Sequence, residues 1–187
     1  MKTSALSLLA ITALGLHAFA QAPVGPGSIK VGKVEVAAPN TPEFTITGGQ
    51  TKRYKLGKWI EMEIGYDTKL ETIDELTFKF TIQIEGKLLD GEVTYAGIAE
   101  GKDHYAVMYV SPKIINTLLK GKAFTAASIE NVWVDVTKAG QKLSPTVSMK
   151  QAAMPNVPHI TGLVLRKDQT PFAPLFYDRY EEIKSGR

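Results

Sequence analysis

The stretch Leu76-Thr77-Phe78-Lys79-Phe80-Thr81-Ile82-Gln83-Ile84 alternates large apolar and polar side chains without a break. Successive side chains of an extended chain point to opposite sides, so this pattern describes a strand with one buried and one open face. The same phase recurs on both sides of it. Upstream, Ile60, Met62 and Ile64 alternate with Trp59, Glu61 and Glu63; downstream, Val132, Val134 and Val136 alternate with Asn131, Trp133 and Asp135. The core is therefore expected to contain these apolar residues together with Leu76, Phe78, Phe80, Ile82, Val107 and Tyr109.

Further strands are expected over Ile29 to Val36, Phe44 to Thr47, Lys52 to Leu56, Glu92 to Ile98, His104 to Val110 and Thr146 to Lys150. Gly48-Gly49 is a two-residue hairpin signal, because glycine takes positive φ at both turn positions without a Cβ clash. Glu85-Gly86-Lys87, Glu100-Gly101-Lys102 and Ala139-Gly140 read as the other turns. One short helix interrupts the strands. Ser111 is placed to cap it, Pro112 suits its first position, Ile114/Leu118 and Ile115/Leu119 pair at i,i+4, and Gly121 stops it. Seven to nine short strands and one such crossover predict an all-β fold, an antiparallel immunoglobulin-like β-sandwich, with a small closed barrel as the alternative.

The chain has 187 residues, 44% apolar and 22% charged, which suits one domain with an extension. Its formal charge is +3, too balanced for nucleic-acid binding by field alone. It has no cysteine, which excludes disulfides, thiolate metal sites and thiol nucleophiles. Residues 1–20 read as a secretory signal peptide: Lys2 is the basic start, Leu6 to Leu16 the apolar run, and Ala18-Phe19-Ala20 the cleavage site. The mature chain, expected to begin at Gln21, then carries 21 basic and 19 acidic residues and no second apolar run of spanning length. Such a product is exported, to a periplasm, an outer-membrane surface or the medium. Of ten prolines, four lie between Pro23 and Pro42 and four between Pro155 and Pro174. This spacing marks 21–27 as an extended leader, 28–153 as the β-sandwich domain, and 154–187 as a proline-containing connection with an aromatic C-terminal segment.

Residues that could carry chemistry are few. The mature chain has His104 and His159, 55 positions apart and each in a turn-like context, and no recognised metal-binding or nucleophile motif. Glu61 and Glu63 share a strand face at about 7 Å, the separation of some glycosidase pairs. Two neighbours on one solvated face lack the unlike environments that acid and base roles need. No catalytic residue, cofactor or metal is expected. Lys52, Arg53, Lys55 and Lys58, with Tyr54 among them, are candidate contacts for anions or acidic glycans, or they guard an exposed edge against strand pairing. Trp59 and Trp133 fall on the polar phase of their strands, where they form either a platform for a sugar ring or the underside of a loop or tail. Thr170 to Arg187 holds Phe172, Phe176, Tyr177 and Tyr180, too aromatic for a free tail. As a helix from Pro174 it would align Phe176, Tyr180 and Ile183, and these aromatics with Ile183 are the candidate partner contacts. The segment is expected to fold back on an edge strand or an outward tryptophan, or to reach a neighbouring subunit.

The runs KWIEMEIGYDTKLETIDELTFKFTIQI, DHYAVMYVSPKIINTLLKGK and IENVWVDVTKAGQ resemble exported immunoglobulin-like proteins of verrucomicrobial gut bacteria encoded beside type IV pilus assembly genes. The resemblance implies a non-enzymatic component linked to pilus assembly, secretion or adhesion, whose partners are other envelope or pilus-assembly proteins. The leader differs from that of a type IV pilin, which has a glycine cleavage site followed by a hydrophobic helix with glutamate at its fifth position. A carbohydrate-binding module for host or mucin glycans is the alternative, and a hydrolase a more distant one.

Overall fold

In a computed structural model, residues 27–44, 48 and 56–185 are described. Residues 1–20, nearly all of the leader, Gly49, most of the two strands expected on either side of the Gly48-Gly49 turn, and Lys52, Arg53 and Lys55 lie outside these residues.

Among the described residues, nine strands belong to one sheet: β1 (Ile29–Ala37), β2 (Ile60–Ile84), β3 (Lys87–Val110), β4 (Ile129–Lys138), β5 (Gln141–Lys142), β6 (Val147–Ser148), β7 (His159–Thr161), β8 (Val164–Arg166) and β9 (Glu182–Ile183). The one α-helix among the described residues, α1 (Pro112–Leu118), is capped by the Ser111 hydroxyl and links β3 to β4, which pair with opposite edges of β2. Apart from the parallel β3–β7 pair, the strand pairs are antiparallel, and the all-β expectation is met.

The spine is the hairpin β2–β3. Glu85 and Gly86, both at positive φ, make its two-residue turn, the geometry that matches the twist of antiparallel strands. Strands of 25 and 24 residues exceed the usual 3 to 10, and they bend. Register shifts between Tyr66 and Thr72 mark the bend, where Thr68 Oγ1 donates to Ala99 O (2.8 Å) and accepts from Gly101 N–H (3.0 Å). Glu100-Gly101-Lys102 is therefore no turn but part of one continuous β3. A turn-like composition does not reverse a chain whose flanks are already paired to the same neighbour.

The bend faces the two halves of the sheet toward each other as a sandwich-like pair. β1 flanks the first half of β2, β4 flanks the second, and β1 packs against β4 and β6. Ile60, Met62, Ile64, Leu76, Phe78, Phe80, Ile82, Val132, Val134 and Val136 meet in one core, with the Tyr66 and Phe78 rings 4.9 Å apart. Val107 and Tyr109 are buried too, but in a second cluster with Trp59 and Phe172 on the outward face. The run Ala106-Val107-Met108-Tyr109-Val110 is apolar in both phases, the pattern of a strand covered on both sides.

Candidate functional site: the C-terminal wrap

The cover on both outward faces is the chain after β6. Asn131 pins its first part, donating from Nδ2 to Gln151 O (2.7 Å) and accepting from Lys150 N–H (2.8 Å). The Trp133 indole N–H donates to Ala152 O (3.1 Å), leaving the residue 1% exposed. From there the chain crosses to the far edge of β3, where β7 and β8 pair with its two ends. The approach is close enough that a Cβ on Gly91 would lie 2.6 Å from Val164 Cβ, so only glycine fits there.

At this crossing Asp90 is buried. Its carboxylate accepts from Thr81 Oγ1 (2.8 Å), contacts His159 Nδ1 at 2.9 Å, and pairs with Lys79 Nζ at 3.0 Å. Burial alone would raise its pKa, but the hydrogen bonds from His159, Thr81 and Lys79 and the Lys79 charge together lower it. Thr81 donates to the carboxylate rather than to the imidazole, so the carboxylate collects three neighbours and fastens β7 to β3.

The aromatic part covers the other outward face. Phe172 stacks on Tyr109 with ring centroids 4.8 Å apart and meets Trp59 edge-on at 5.5 Å. The Trp59 N–H donates to Thr41 Oγ1 (3.1 Å). Both tryptophans are buried under later parts of the chain, Trp59 at 7% and Trp133 at 1% exposure, which fits the alternative of a covered position better than a broad platform for a sugar ring. Lys58 is exposed and bridges to Asn40.

Glu63 is the anchor of the loop's far side. It accepts from Tyr180 Oη (2.5 Å) and from Arg179 (2.6 and 3.1 Å), whose guanidinium lies 3.6 Å from the centre of the Tyr105 ring. Burial, reinforced by Glu63, pushes the Tyr180 phenol well above its ordinary value, and the hydrogen bonds to Glu63 raise Arg179. Glu61 and Glu63 are thus not a bare solvated pair. Glu181 contacts His104 Nδ1 at 2.8 Å, Lys184 pairs with Glu75, and β9 adds to Tyr95 and Ala96 of β3. Lys167, buried, donates to Ala173 O (3.0 Å); burial lowers its pKa.

Residues 171–180 form successive turns rather than a helix. A helix this short is marginal alone, and the left-handed backbone at Phe176 interrupts one, while Phe172, Tyr180 and Ile183 pack toward the sheet. Phe176, at φ +52°, and Tyr177 project from the loop, 68% and 80% exposed. The five aromatic-segment candidates therefore divide: Phe172, Tyr180 and Ile183 hold the loop down, while Phe176 and Tyr177 are displayed. Among the described residues, no group of three His, Asp or Glu side chains is placed to hold a metal, and no helix is long and apolar enough to cross a membrane.

A protein-family model matches residues 20–187. The chain belongs to that family. A crystal structure of a protein from Akkermansia muciniphila, a verrucomicrobial gut bacterium, is similar in fold: TM-score 0.72 at 24% identity, over 85% of this chain and 94% of that one. The family match includes the whole wrap as well as the sandwich. No curated protein matches the chain.

Proposed function

We propose that the protein is a non-enzymatic, exported structural or interaction component of a bacterial envelope, working with a type IV pilus-like assembly, secretion or adhesion system. The observation that carries this reading is the displayed pair Phe176 and Tyr177. Rigid aromatics on a fixed base lose little conformational freedom on binding and dominate many interfaces. Here the base is fixed on both sides by Phe172, Arg179 and Tyr180. The family match and the likeness to the Akkermansia protein support the envelope context.

Affinity purification from the native envelope tests it. The wild-type protein is expected to co-purify with pilus-assembly or secretion proteins, and a Phe176→Asn, Tyr177→Ser variant to lose them, asparagine being chosen because it tolerates positive φ. Retention of the same partners by the variant, or recovery of none of that class by the wild type, rejects the proposal.

A further inference from the structure

The displayed aromatics have a counterpart on the same molecule. An open cleft of about 610 Å³ lies at the start of β2, against α1, with Leu56, Gly57, Trp59 and Pro112 as its apolar lining and Lys113 and Asn116 beside them. That volume falls within the range of ligand pockets, roughly 300–1,000 Å³. Gly57 lies so close to Pro112 that an added Cβ would sit 2.7 Å from the proline Cβ, and Leu56 is 51% exposed. Trp59 belongs to both features: its indole lines the cleft and meets Phe172, four positions before Phe176. The cleft and the base of the loop that carries the tip thus share one residue, Trp59.

Their margins carry opposite charges. Asp178 follows the tip and is exposed, and Lys113 at the cleft is exposed as well. The tip is held in a costly shape, since phenylalanine at φ +52° sits in left-handed backbone, where its Cβ crowds the following carbonyl. Such strain collects at binding sites, where the surroundings fix it.

We propose that the occupant of this cleft is the Phe176–Tyr177 tip of a second copy of the chain, inserted reciprocally. A two-fold axis brings tip to cleft twice and Asp178 to Lys113 twice, which closes a dimer. The proposal rests on the reading of the tip as an interaction site and names its partner.

Analytical ultracentrifugation of the purified mature protein tests it without any envelope component. The wild type is expected to pass from monomer to dimer between micromolar and millimolar concentration. Phe176→Gly relieves the backbone strain while removing the ring, so it should keep or raise the melting temperature and weaken dimerisation at least tenfold. Lys113→Glu should weaken it similarly, and adding Asp178→Lys in the same chain should restore it. A monomer at every concentration, or dimerisation indifferent to these changes, overturns the proposal. Envelope partners that still depend on Phe176 and Tyr177 would then leave the broader function standing, whereas failure of both experiments removes both.

Discussion

Asp90 shows how one buried side chain governs the hold of the extension. Its carboxylate joins Lys79 and Thr81 of β2 to His159 of β7. Because Asp90 releases its proton more readily in the folded chain than in the unfolded one, its contribution is complete above the ordinary aspartate value near 3.9. It is lost as the pH falls through the lower folded value. The melting temperature of the wild type should therefore drop below about pH 4, and Asp90→Asn should flatten that limb. At neutral pH the same substitution should cost about 1–3 kcal/mol, the range for disturbing a buried polar group. Thermal melts over an acid series measure both effects; an Asp90→Asn curve parallel to the wild type would exclude the role. Nothing in the sequence near Asp90 announced this cluster, since its imidazole partner is 69 positions away and no local pattern links them. The tryptophans were half legible: period-2 alternation turned Trp59 and Trp133 outward, but the cover that buries them comes from later in the chain.

At the scale of elements, the extension is a structural part of the sheet rather than a tail. It supplies β7, β8 and β9 to β3 and buries the second apolar cluster. A chain ending at Thr170 should lose at least as much stability as Phe172→Ala, for which about 3–5 kcal/mol is expected of a buried phenylalanine. Urea unfolding of both proteins is the measurement, and an unchanged midpoint for the truncated chain would mean that the outward face needs no cover. The density of aromatics made docking of this segment legible, because so much apolar area does not stay in water. Its local shape was not, since the turn at Phe176 and the short β9 are set by what Tyr109, Glu63 and Tyr95 offer across the sheet. β3 carried a second readable signal: five consecutive apolar residues from Ala106 to Val110 mark a strand buried on both faces. Simple alternation placed Val107 and Tyr109 in the core, where both are buried, but did not show that they form a cluster of their own with Trp59 and Phe172.

For the molecule as a whole, one bent hairpin provides both halves of the core, and the chain's last part seals the edge and the outward faces that the bend leaves open. This division bears on where the mature chain starts. The first described strand begins at Ile29, and the described residues of both apolar clusters all lie after residue 28. The family match begins at residue 20, beside the Ala18-Phe19-Ala20 site. A leader with a basic start, an apolar run and small residues at its end has the pattern of a segment removed during export. The native protein from an envelope fraction is therefore expected to have the intact mass of Gln21 to Arg187, with the same melting temperature as recombinant protein begun at Gln21. A native species that keeps Met1 to Ala20 would overturn export by this route, and the envelope reading of the displayed aromatics would lose its premise with it.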